Sequence, residues 1–132
     1  MYRVSKSKVL SNLQCPKRLY LEVHRPDLLD FSGQTERAFS IGNEVGKAAR
    51  NLYPDGRLIG HDRDLASALA DTDAMIRRSG DFTLFEGAFR HGQVLIRADV
   101  IRRRRRRLHL VEVKSSTELK PHYIPDVAIQ AW

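Results

Sequence analysis

Two alternating strings, Ile96-Arg97-Ala98-Asp99-Val100 and Leu110-Val111-Glu112-Val113-Lys114-Ser115-Ser116, constrain the fold of this chain more than any other feature. A period of two is the mark of a half-buried strand, so Val94, Ile96, Ala98 and Val100 share one face while Arg97 and Asp99 share the other. On the second string Glu112 and Lys114 project together, with Val111 and Val113 turned away. Asp99 and Glu112, thirteen positions apart, then face each other across a ladder. Leu110, Val111 and Val113 bracket Glu112, and an acid buried in such surroundings is costly unless it has a partner.

The rest of the pattern places these strings in a mixed domain. Strands are predicted over 83–90, 93–102 and 108–115, joined by a tight turn at His91-Gly92 and by the arginine run 102–107, which gives an antiparallel meander. Ser5 can cap a short helix bearing Val9, Leu10 and Leu13. After Cys15-Pro16 a second helix carries a Leu19, Tyr20, Val23 stripe and ends at His24-Arg25-Pro26. The segment 28–33 reads as loop. Ala38, Ile41, Val45, Ala48 and Leu52 then mark an amphipathic helix with a core face, stopping at Pro54-Asp55-Gly56. Gly42 and Gly46 inside it cost about 1 kcal/mol each against alanine, which implies close backbone approach, to a strand sooner than to a ligand. Asp64 caps a further helix with Leu65, Leu69, Thr72 and Ile76 on one side, ended by Gly80. Pro125 suits the first turn of a last helix through Asp126, Val127, Ile129 and Gln130. That helix meets the chain end at Trp132, as expected of a truncated chain or a fragment of a longer protein. The fold class is α+β, with an N-terminal helical segment over 1–33 and the core over 34–132.

Composition narrows the partners. A length of 132 residues suits one domain with a real core. No apolar run is long enough to cross a bilayer and 1–10 lacks a signal-peptide apolar stretch, so a cytoplasmic protein without a membrane partner is expected. The formal charge is +7, but the six arginines of 102–107 account for nearly all of it and without them the balance falls to +1. A solvated turn and a phosphate contact are equally good readings of that run. Cys15 is the only cysteine, which rules out an intrachain disulfide and an all-cysteine metal site within this chain and makes a buried thiol the plain expectation. There is no internal repeat, glycine-rich phosphate loop or zinc-type His/Cys spacing.

Asp99 and Glu112 offer hard oxygen donors, which suit Mg²⁺ or Mn²⁺. Lys114 could contact a phosphate or an attacking water and would offset the repulsion between two carboxylates. Glu86, within Phe85-Glu86-Gly87-Ala88-Phe89, is either a further ligand or solvent-facing. Gln130 could reach a base edge, a phosphate or a metal-bound water, or lie on a helix surface. An Asp followed by Glu-x-Lys is common by chance, and an exposed Glu/Lys strand face is usually just solvated.

Taken together, Asp99, Glu112-Val113-Lys114 and Gln130 resemble, in order and spacing, the PD-(D/E)XK nuclease superfamily and its RecB-like branch, over the chain from about 34 onward. The resemblance implies a restriction-endonuclease-like αβββαβ core, here with its final strand missing. It also implies metal-dependent hydrolysis of DNA phosphodiester bonds in repair, recombination or defence. Asp99, Glu112 and the Val113 carbonyl would hold Mg²⁺ or Mn²⁺, Lys114 would orient or deprotonate water, and Gln130 would support the site. Gly42-Asn43-Glu44-Val45-Gly46 is similar to a helix that carries a Gly followed four residues later by a metal-binding His. Gly46 stands at that position, so Glu44 or Glu86 would take over part of the work. Gln14-Cys15-Pro16-Lys17-Arg18-Leu19-Tyr20-Leu21 resembles the segment that gives CRISPR-adaptation exonucleases the first of four cysteines around a [4Fe-4S] cluster. By that likeness Cys15 is an iron-sulfur ligand in a longer chain and an orphan thiol here. The expectation is a nuclease domain, weakly active or inactive at this length. The alternatives are a catalytically inactive nucleic-acid-binding module and an inactive fragment of a larger nuclease. A truncated last helix would also leave apolar surface for a homo-oligomer.

Overall fold

The alternating residues between Phe82 and Val111 fold as a twisted antiparallel meander in the computed structural model, which describes residues 4–29, 33–60 and 64–132, with the side chains of 33–35 excepted. Strands β3 (Phe82–His91) and β4 (Val94–Arg104) turn at Gly92, whose φ of 54° is free to a residue without a Cβ. Strand β5 (Arg107–Val111) returns along β4. It stops four residues short of the predicted end at 115, because the Asp99 carboxylate takes the place of a ladder partner and accepts from the Val113 N–H at 2.7 Å.

Two strands of two residues each escape the sequence pattern, being too short to show a period. β1 (Val4–Ser5) runs parallel to β4 at Val94 and Leu95, and β2 (Arg57–Leu58) runs parallel to β3 at Leu84 and Phe85. The sheet is therefore mixed, in the order β1-β4-β3-β2 with β5 also on β4, and the chain is α+β.

Ser5 accepts from the Lys8 N–H to begin α1 (Lys6–Gln14), and Pro16 opens α2 (Pro16–His24), which is followed by one turn of 3-10 helix at Pro26–Leu28. Residues 30–32 of the predicted loop lie outside the described residues. Next come α3 (Gly33–Asn51) and then α4 (Leu65–Arg77), where Asp64 accepts from the N–H groups of Ala66 and Ser67 at 2.9 and 3.1 Å. The last helix is α5 (Tyr123–Ala131). Among the described residues, no helix is long and apolar enough to cross a membrane.

Ala68 and Met75 of α4 pack on Leu84, Ala88, Ile96 and Ala98 of the sheet, and Ile129 of α5 joins them. Thr72 ties the layers together: its hydroxyl donates to the Ala68 carbonyl at 2.8 Å and accepts from the Ala88 N–H at 3.0 Å. Val100 and Ile101 are both buried, so the sheet is covered on both faces there.

Two predicted core faces lie at the surface instead. Tyr20 and Val23 of α2 are exposed, as are Phe39 and Ile41 of α3 and Leu52 just past its end. The core of the sheet is packed by α4, and α3 is partly buried only around Val45, Gly46, Ala49 and Arg50, bordering a cleft over Glu86 and Asp99. The expectation that Gly42 and Gly46 lie against a strand is likewise overturned, since a Cβ added to either would meet nothing within 4 Å. Close approach occurs at Gly56, where a Cβ would collide with the Phe85 ring.

The arginine run is not simply a tip. Arg102 to Arg104 belong to β4, and only Arg105 and Arg106 make the turn. Arg102 stacks over Tyr53 at 4.2 Å. Arg103 stacks over Phe82 and donates to the carbonyls of Gly80 (2.7 Å), Ile76 (3.1 Å) and Arg78. It thereby satisfies carbonyls that the end of α4 leaves open.

Candidate functional site

The strand registers bring three acidic residues onto one line across the sheet. One step beyond the Val100–Val111 pair of β4 and β5, Asp99 comes beside Glu112. On the other edge of β4 the pairs Phe85–Val100 and Gly87–Ala98 flank Glu86, which leaves Glu86 opposite Asp99. The ladder is broken along this line. Glu86 has a φ of 56°, a left-handed conformation uncommon for a residue with a side chain, and its carbonyl accepts from Arg97 at 3.3 Å. Burial pushes the Asp99 carboxyl up to about 6; the Val113 N–H and Lys6 pull it back, while the charges of Glu112 and Glu86 raise it further.

Glu112 sits in a knot of charges. Its Oε1 accepts from Lys6 Nζ at 3.1 Å and Lys114 Nζ at 2.7 Å, and its Oε2 accepts from Gln130 Nε2 at 2.7 Å. Asp126 completes the knot, with Lys6 Nζ at 3.0 Å from Oδ1 and Lys114 Nζ at 2.5 Å from Oδ2. Burial would lift the Asp126 pKa, but its bonds to Lys114 and Lys6 outweigh that and hold it below the ordinary carboxylate value. For Lys114 burial acts downward, and the bonds to Asp126 and Glu112 prevail and hold it above the usual lysine value. Lys114 is therefore a firm cation. Of the two roles expected of it, holding or orienting an oxygen fits this state and removing a proton does not.

Two clefts flank the knot. A cleft of about 320 Å³ lies between α3 and the sheet, with Glu86, Asp99 and Val113 on one side and Asn43, Lys47 and Arg50 on the other. A wider one of about 720 Å³ takes in Glu112, Lys114, Leu119, Tyr123 and Val127. The sequence-predicted residues are thus gathered in one region, but Asp99 opens into the first cleft and Glu112 with Lys114 into the second. Glu86 lines the cleft of Asp99, Glu44 is exposed on α3, and Gly42 and Gly46 line the same cleft as Asp99. Cys15 is exposed at the α1–α2 junction, not buried as a plain thiol would be.

The donor set suits a hard divalent cation. Asp99, Glu86 and the main chain of Val113 offer oxygen around one cleft, where burial raises the Asp99 pKa; Gln130 Oε1, buried without a hydrogen-bond partner, lies outside that cleft. Among the described residues, no three His, Cys, Asp or Glu groups converge closely enough to form a cage by themselves. The carboxylate line and the cation knot nonetheless meet at Glu112.

Two members of the knot were missed in the sequence. Asp126 carried a readable signal, because it stands four residues before Gln130 and so shares its helix face. Lys6 carried none, since it reaches Glu112 across 106 residues. Compared with protein-family models, curated proteins and solved structures, the chain matches none.

Proposed function

We propose that this chain is a metal-dependent nuclease domain that hydrolyses DNA phosphodiester bonds, with a restriction-endonuclease-like core of the RecB-like kind. One observation carries the reading: Glu86 of β3, Asp99 of β4 and Glu112 just past the end of β5 lie side by side, with the Lys114 ammonium on Glu112. Asp99, Glu86 and the Val113 carbonyl would hold Mg²⁺ or Mn²⁺, with Glu112 next to them. Such an ion, when bound, polarises phosphate oxygen and lowers the pKa of water. The chain's own groups do the rest. Lys47 and Arg50 face the carboxylates across the cleft and can receive the DNA backbone. Lys114 fixes a phosphate or water oxygen, and Gln130 and Lys6 hold the Glu112 carboxylate in one orientation.

A second reading, a nucleic-acid-binding module without hydrolysis, is favoured by the occupation of both Glu112 oxygens by Lys6, Lys114 and Gln130. Mn²⁺-dependent cleavage of linear single- or double-stranded DNA, lost in Glu112→Gln and in Lys114→Ala, is the outcome expected of the nuclease. Salt-sensitive DNA binding that survives both changes, with no cleavage, selects the module. If calorimetric titration with Mn²⁺ gives no heat and the metal leaves the melting temperature unmoved, the metal site is refuted.

A further inference from the structure

The six arginines of 102–107 divide into two groups with different surroundings. The first three are committed to the fold. Arg102 lies on Tyr53, Arg103 closes the end of α4, and Arg104 donates to the Thr83 hydroxyl at 3.4 Å and lies 3.9 Å from Asp81. The other three, Arg105, Arg106 and Arg107, are exposed, and among the described residues no carboxylate pairs with their guanidinium groups.

The turn itself is built against the preference of its residues. Arg105 and Arg106 have φ of 46° and 68°, the pair of left-handed conformations that a two-residue hairpin turn of this hand requires. Asn-Gly adopts them with little strain, because glycine lacks a Cβ and the short Asn amide bonds locally, whereas arginine has neither relief. Asp81 holds the turn in place by accepting from the Arg105 N–H at 3.1 Å. A tip shaped only for folding would use Asn and Gly, and a tip shaped only for solubility needs no guanidinium at either strained position. Strain kept at an exposed position, and supported from the body of the domain, points to a ligand.

We infer that Arg105, Arg106 and Arg107 form a clamp for the phosphate backbone of duplex DNA, presented on a β4–β5 turn held against the body of the domain by Asp81; the choice of DNA rests on the nuclease reading above. Guanidinium is always charged and matches phosphate oxygens two at a time. The clamp is independent of hydrolysis, because it sits on the β4–β5 turn and uses none of the carboxylates.

The test is binding of a fluorescently labelled DNA duplex, followed by anisotropy in EDTA over a range of NaCl, so that cleavage plays no part. In the double variant Arg105→Asn/Arg106→Gly the melting temperature should rise as strain is relieved. Its affinity should fall about tenfold, and the slope of log affinity against log salt should shrink by about 2, the share of two phosphate contacts. Arg107→Gln leaves the turn residues in place and should shrink the slope by about 1. A double variant that melts higher but binds with unchanged affinity and slope overturns the inference, as does a parent chain that binds heparin oligosaccharide but not DNA. If the double variant fails to fold, an unchanged slope in Arg107→Gln overturns it alone.

Discussion

Replacing Asp99 by Asn removes a charge that the fold holds at a cost. The folded carboxyl ionises near 6 against an ordinary 3.8, so between those values the folded chain carries more proton than the unfolded one. Stability contributed by this group is therefore fully present below about pH 4, falls as pH rises through about 6, and is flat above. A shift of about two pH units corresponds to about 3 kcal/mol, and because Asp99 keeps part of its contact with solvent, screening reduces this to about 1–2 kcal/mol. The groups that set the shift are burial, Glu112 and Glu86 on one side and the Val113 N–H and Lys6 on the other. An Asn side-chain oxygen can still accept from the Val113 N–H, so the hydrogen bond survives while the charge does not. Urea unfolding of the parent and Asp99→Asn should give equal stabilities at pH 4 and an advantage of about 1–2 kcal/mol for Asn at pH 7.5. Mn²⁺ should then raise the melting temperature of the parent and not of the variant. An identical difference between the two proteins at both pH values, or an Asn variant less stable at pH 7.5, would show that the fold does not disfavour the Asp99 charge.

Three further outcomes follow from particular contacts. Asp126→Ala leaves Lys6 and Lys114 sharing one carboxylate in a buried knot and should cost about 2–4 kcal/mol in urea unfolding; a cost below about 0.5 kcal/mol would show that the knot is solvated. Gly42→Ala and Gly46→Ala each place a methyl in open space inside a helix and should raise stability by up to about 1 kcal/mol, whereas a loss would place α3 nearer to the sheet. Gly56→Ala pushes a methyl into the buried Phe85 ring and should cost about 1–3 kcal/mol, and an unchanged melting temperature would contradict the packing of β2 on β3.

Local periods and local caps made most of the elements legible in the amino-acid sequence, though not which of their faces is buried. Alternation specified the β3–β4 hairpin and the adjacency of Asp99 to Glu112, and Ser5 and Asp64 marked two helix starts that the backbone adopts. These properties belong to a single element or to two elements joined by a tight turn, so the residues that cause them lie within a few positions of each other. Which amphipathic faces were buried was settled by packing: α4 sits on the sheet core, while the equally periodic α3 leaves Phe39 and Ile41 at the surface, because periodicity marks a face without saying what covers it. The tertiary structure also decided the end of β5, where one side chain outcompeted a ladder bond, and the split of the arginine run into anchored and free halves. Above all it recruited Lys6 to Glu112, a pairing across 106 residues that leaves no trace in the periodicity of either segment.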